Sequence, residues 1–265
     1  MKEETCGRTG LHLTKAAGQI GFRVAQDRYG ALSVMANRYV GPLPQQAPGT
    51  ALVERRGRYD TVGCTVYVAD SKKCAYAEVL TVFRMKFAAV AEVAESVGWD
   101  VDEYIAKVLE DAKANGVDAP WAIPADWQVN RSVHKLSLPS EGWWVVMDHH
   151  DTLAALQRMT PTIRGMTVGL KLLTAGSITG ENRALTTLLA QTVRDQTLED
   201  GSEPLGISFK SKTLFGRCWA FWDRRADPGL PPGPNDLKQK TSENVGPDPA
   251  FHYVADHYEL PRLGR

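Results

Sequence analysis

The stretch "CTVYVADSKKCAYAEVLTVFRMKFAAVAEVAES", residues 64 to 96, constrains the fold more than any other. Its opening residues alternate, with Val66 and Val68 on one side and Thr65, Tyr67 and Ala69 on the other, which is the period of a strand. Asp70 and Ser71 then offer a helix cap, and the run rich in Ala, Val and Met predicts a helix from about Lys73 to Ser96, stopping near Gly98. A strand that feeds a long helix buries one face of each, so the chain is headed for a sheet with helices packed on it. One residue is out of place. Ala75, Val79, Val82 and Phe83 form an apolar stripe and Glu78 lands inside it, where a carboxylate is costly unless it is paired, hydrogen-bonded or kept neutral.

Elsewhere the pattern mixes both periods. "GQIGFRVAQ" reads as a first strand, "GWWVVMD" as another, and "LGISFKSKTLFGRCWAFWD" as two short strands around a turn. "VDEYIAKVLEDAKANG" places Tyr104, Ile105, Val108, Leu109 and Ala112 at helical spacing, and "TLAALQRM" and "ENRALTTLLAQTVRDQTLEDG" read as further helices, the last closed by Gly201. Residues 1 to 19 form a lead-in, and the turn-rich connection from Arg28 to Glu54 has the length of a lid. From Ala226 to Pro249 the composition shifts to Pro, Gly and polar residues, expected to be mobile or draped on the surface, before "FHYVADHYEL" docks back.

At 265 residues a single domain with insertions is the first expectation. Lys plus Arg equals Asp plus Glu, 31 each, so no overall charge draws the chain to nucleic acid or an acidic membrane. The four cysteines, Cys6, Cys64, Cys74 and Cys218, form no CxxC pair, which suits free thiols in a reducing, cytoplasmic compartment. The opening "MKEETCGRTG" has no signal-peptide pattern, and the most apolar stretch is cut by Glu92 and Glu95, so no membrane association is expected.

The bland reading of Glu78 is an ion pair with a nearby arginine. A sharper one joins it to Tyr67 on the strand and Arg58 just after Gly57. Arginine grips phosphate oxygens with two prongs, an aromatic ring lies against a heterocyclic base, and a carboxylate supports positive charge growing on a sugar ring. Most glycosidases need a second carboxyl group to protonate the departing oxygen. Nicotinamide leaves NAD from a cationic nitrogen, so one carboxylate suffices for that bond. Other clusters read as structure. The adjacent His149 and His150 of "MDHHDT" diverge and cannot grip one ion together, which leaves a turn and a helix cap at Asp151 and no metal. Cys64 and Cys74 read as small buried hydrophobes, Trp219 and Trp222 as packing, and Ser211 by itself as a turn serine.

"GRYD", "VYVADS", "AYAEVL" and the later "GISFKSK" together resemble the segments of the RES domain, the toxin of RES-Xre toxin-antitoxin pairs. The resemblance spans roughly residues 20 to 225, followed by a Pro-rich extension from 226 to 265. It implies an α+β fold like that of ADP-ribosyltransferase toxins: a split, twisted antiparallel sheet with packed helices and an NAD cleft between the sheet halves. It implies an enzyme that degrades NAD at the nicotinamide-ribose bond by hydrolysis or phosphorolysis, with NAD as substrate and an Xre-like antitoxin as partner. Mono-ADP-ribosyl transfer to a macromolecule and a non-catalytic binding module are the alternatives, and whether the chain forms a homo-oligomer stays open. Carried over by position, Glu78, Arg58 and Tyr67 are the catalytic candidates, and Arg23, Arg58, Tyr67 and Ser211 hold NAD. Arg28 and Arg38 compete with Arg23 for the early arginine. The sequence departs from the family pattern at Tyr59-Asp60, where many members have Trp-Asn, and in its long connection from Arg23 to Arg58.

Overall fold

The computed structural model describes residues 2–34, 56–159 and 172–263. Arg38 and most of the turn-rich connection before Arg56 lie outside the described residues. The chain is a mixed α+β structure. Its strands are β1 (Glu3–Thr5), β2 (His12–Lys15), β3 (Ile20–Gln26), β4 (Cys64–Ala69), β5 (Arg131–Ser137), β6 (Trp143–Val146), β7 (Gly206–Lys210), β8 (Arg217–Asp223) and β9 (Lys238–Asn244). Among the described residues there are seven α-helices: α1 (Lys72–Ser96), α2 (Val101–Ala114), α3 (Ala125–Val129), α4 (His150–Met159), α5 (Ala175–Thr179), α6 (Arg183–Arg194) and α7 (Pro249–His257).

The strands join one sheet in the order β1-β2-β6-β7-β8-β4-β3-β5-β9. Every neighbouring pair is antiparallel except β6 and β7. A parallel pair needs a long crossover, and the chain spends α4, α5 and α6 on it. β3 and β4 share a single paired position, Phe22 with Ala69, whereas β4 and β8 pair along six. Six strands on one side and three on the other therefore part along most of their length.

Antiparallel partners share a face, so this register sorts the side chains. Thr65, Tyr67 and Ala69 point to the helix side and Val66 and Val68 to the back, as the alternation predicts. On the helix side, Cys74 and Ala75 join a core built with Leu156 of α4 and Leu185 and Leu189 of α6. From the very next residue on, Tyr76, Ala77, Leu80 and Phe83 join a second core with Phe251 and Val254 of α7. Helix α1 thus spans the narrow join in the sheet and packs on both parts. Ser71 caps it, its hydroxyl accepting from the Cys74 amide at 3.2 Å. The buried stripe differs from the sequence expectation: Val82 is exposed, and Glu78 stands half-buried at the flank of the packed face. Packing on two unequal cores rotates the buried face relative to a single stripe.

Other expectations also change. The lead-in holds β1 and β2, which pair with each other and with β6. The Pro-rich segment supplies β9, the edge strand on β5, and buries Leu237 and Val245 at its two ends. All seven residues of β9 are exposed, and Lys238 and Lys240 keep that edge charged against pairing with another chain. The long helical reading after Glu181 stops at Arg194, well before Gly201. Strand β5, which pairs with both β3 and β9, is absent from the sequence reading because its two large apolar residues, Val133 and Leu136, stand three apart, off the period of two.

His134 on β5 pairs with Arg23 and is buried, and among the described residues neither ring nitrogen finds a hydrogen-bond partner. Burial pushes its imidazole below the usual value; Asp27 opposes this and Arg23 reinforces it. A histidine lowered in the folded state binds its proton first in the unfolded chain, so its contribution is complete above the unfolded value and is lost as pH falls below it. The urea midpoint should therefore drop between about pH 7 and about pH 5, and His134→Leu should flatten that slope. An unchanged slope in the variant would remove His134 as its source.

Candidate functional site

Tyr67 and the turn that precedes it form one group of candidate side chains. The Tyr67 hydroxyl accepts from the Tyr59 amide at 2.8 Å and donates to Asp60 Oδ1 at 3.0 Å, while Asp60 Oδ2 accepts from the Gly57 amide at 2.7 Å. A Cβ on Gly57 would stand 2.6 Å from that hydroxyl, so only glycine lets the turn close against the tyrosine. Tyr67 thus serves first as a strut for the turn that carries Arg58. Arg58 itself is only 8% exposed, and one guanidinium nitrogen, Nη2, reaches to 3.9 Å from Glu181 Oε1. Tyr59 is fully buried against Phe209, and its hydroxyl donates to the Ile178 carbonyl at 2.9 Å. Burial pushes this phenol well above its usual value, which keeps it neutral.

A second group comes from α1 and the end of β7. Ser211 follows the last residue of β7 and its hydroxyl donates to Glu78 Oε1 at 2.5 Å, joining residues 133 positions apart. The same hydroxyl lies 2.5 Å from Thr213 Oγ1 and accepts from the Thr213 amide at 3.1 Å. Serine has a single proton, so with that proton directed toward Glu78 the Thr213 hydroxyl is the donor in their contact. Among the described residues Glu78 has no ion pair, so the bland reading of a structural salt bridge does not hold for them. Tyr258 lies near, its phenol raised chiefly by burial and also by the Glu78 charge, with Thr213 and Arg84 pulling the other way.

The two groups meet through Glu181. Its carboxylate accepts from Arg183 Nη2 at 2.5 Å and from Lys212 Nζ at 2.8 Å, besides facing Arg58. Lys212 is the residue after Ser211, so Arg58, Glu181, Lys212, Ser211 and Glu78 form one connected series on the helix side of the sheet.

Arg23 is not part of that series. It lies between Phe22 and Val24, which pack on the helix side, and so points to the back, where its guanidinium donates to the carbonyls of Ala31 at 2.8 Å and Ser33 at 2.6 Å. Its competitor Arg28 is exposed, bonded to Gln26 and lying over the Tyr29 ring. The expected helix cap at Asp151 also changes. His149 caps α4, its ring Nδ1 accepting from the Asp151 amide at 3.2 Å, while the Asp151 carboxylate accepts from the Thr5 hydroxyl at 2.8 Å. His12, His149 and Asp151 lie together beside a hollow of 280 Å³ on the back face that Lys210 and Arg217 also line. The His12 and His149 rings stack at 3.6 Å, 13° from parallel, so their in-plane nitrogens point side by side, whereas a bound metal needs them to converge.

Sequence reasoning missed Glu181, Arg183, Lys212, Thr213 and Tyr258. Thr213 and Lys212 had a signal, standing beside Ser211 in "SKT"; the others come from distant elements. Comparison with family models, with curated proteins and with solved structures returns no match to this chain.

Proposed function

We propose that the chain cleaves the nicotinamide-ribose bond of NAD, in the manner of the RES toxins its motifs resemble. The observation that carries this reading is the Ser211–Glu78 hydrogen bond, which unites two residues the resemblance singles out from opposite ends of the chain. The near-separation of β3 from β4 supports the ADP-ribosyltransferase-like split sheet.

In the proposed reaction Arg58 holds a phosphate oxygen of NAD, and the half-buried Tyr67 ring meets the nicotinamide. Glu78, kept in place by Ser211, stands beside the ribose. As the C–N bond stretches, the bond pair returns to the nicotinamide nitrogen and the sugar gains oxocarbenium character, which the carboxylate stabilises. Water then adds to give ADP-ribose and a proton, or phosphate adds to give the ribose phosphate ester. Arg23 is left out of NAD binding in this scheme, since it faces the other side of the sheet. A chain that depletes NAD in the cytoplasm needs restraint, so an Xre-like antitoxin covering this face belongs to the proposal.

The test is to incubate the pure protein with NAD, with and without phosphate, and identify the products by mass. Release of free nicotinamide is the expected result; none in either condition would overturn the reading, and release only with an added, labelled target would favour ADP-ribosyl transfer. Arg58→Lys should raise the KM for NAD about tenfold, because a point charge cannot reproduce a two-pronged contact. An unchanged KM would remove Arg58 from phosphate binding.

A further inference from the structure

Glu181 raises a question of charge. It sits in the turn between α5 and α6 with 64% of its side chain exposed, yet it meets Arg183 at 2.5 Å, Lys212 at 2.8 Å and Arg58 at 3.9 Å. An exposed carboxylate needs no such company, since surface ion pairs contribute little. Arg58 is the more telling partner. It is more than nine-tenths buried, its Nε meets no acceptor among the described residues, and its nearest carboxylate is beyond hydrogen-bond reach. Within ion-pair reach these three cations share one carboxylate, since Asp60 is tied to the Gly57 amide and the Tyr67 hydroxyl and Glu78 to Ser211. The first residue of the 12-residue helix α6 is Arg183 itself, so the helix's positive end adds to the same spot.

An anion with more charge and more oxygens than a carboxylate would satisfy these donors better. We propose that Arg58, Arg183 and Lys212 form a diphosphate-binding site in which Glu181 is a resident counter-ion, displaced into solvent when the ligand arrives. Glu181 suits that part because its exposure makes leaving cheap. Arg183 and Lys212, 18% and 30% exposed, are placed to follow a ligand, while Arg58 is fixed by its turn. Lys212 adjoins Ser211 and hence Glu78, so a diphosphate held here brings an attached ribose toward that carboxylate. Only the identity of the ligand as a dinucleotide rests on the NAD reading; the anion site stands on its own charges.

Calorimetric titration with inorganic pyrophosphate and, separately, with ADP-ribose tests the site without any turnover. Glu181→Gln should bind both about tenfold more tightly than the native chain, and Lys212→Met and Arg183→Met about tenfold more weakly, each charge-assisted contact being of that size. Lys107→Met, a surface change on α2 far in sequence from this turn, controls for net charge and should leave both affinities unchanged. Thermal melting confirms that each variant is folded. Binding of pyrophosphate but not ADP-ribose would keep the anion site and count against the dinucleotide. Unchanged or weaker binding by Glu181→Gln, or full affinity in Lys212→Met and Arg183→Met, would overturn the proposal even if the native chain cleaves NAD.

Discussion

Glu78→Gln is expected to fold normally and to lose the proposed NAD cleavage by about a hundredfold to a thousandfold, the range seen when one electrostatic stabiliser of a transition state is removed. The substitution is a narrow one. Glutamine keeps the length, the helix propensity and an oxygen that accepts from the Ser211 hydroxyl, so α1 and the end of β7 stay joined. What disappears is the negative charge, which matters most as the ribose becomes positive. The loss should therefore fall on kcat, with the KM for NAD close to that of the native chain, because Arg58 and the proposed anion site are untouched. Steady-state kinetics alongside a thermal melt would separate the cases. A variant that melts like the native chain and still turns over NAD would leave Glu78 as a structural acceptor for Ser211 and nothing more.

Asp227→Ala is expected to destabilise the fold by about 3 kcal/mol, the low end of the cost of stranding a buried charge. Arg194, at the end of α6, is 7% exposed; it donates to the Thr61 hydroxyl at 3.0 Å and forms an ion pair with Asp227. The other Asp227 oxygen accepts from the Cys64 amide at 2.7 Å, where β4 begins. One carboxylate therefore ties the segment after β8 to α6 and to the first residue of the central strand. Removing it leaves a buried guanidinium and a part-buried amide short of an acceptor, both costly. For a chain of this size the melting temperature should fall by about 6 to 12 °C. Asp227→Asn, which keeps an acceptor for Cys64, should cost less. A loss under about 1 kcal/mol in Asp227→Ala would mean that Arg194 rehydrates and that the segment is not held by this pair.

Both predictions rest on residues with very different legibility. Glu78 stood out in the sequence because a charge among Ala, Val and Phe at helical spacing is visible locally, and Ser71 showed the cap that starts α1. Asp227 offered no such sign: it lies in a Pro- and Gly-rich stretch, where an aspartate ordinarily marks a turn. Its meaning comes from Arg194 and Cys64, which the sheet brings to it. Glu181 is similar, an acidic residue before a helix until Arg58 and Lys212 arrive from other elements. Arg23 shows the opposite error. Its position on β3 could be read from sequence, but the face it takes depends on Phe22 pairing with Ala69.

By itself the sequence determined what local periodicity and short-range chemistry can specify: the alternation of β4, the helix α1 with its cap at Ser71, and a polar misfit at Glu78. Only the tertiary structure decided the strand order, the opposite face taken by Arg23, the contact of Ser211 with Glu78, and the basic cluster around Glu181. The reason is that strand pairing and charge clustering are set by energies between residues that different elements bring together, Ser211 and Glu78 being 133 positions apart, and those terms leave no period in the chain for a local reading to find.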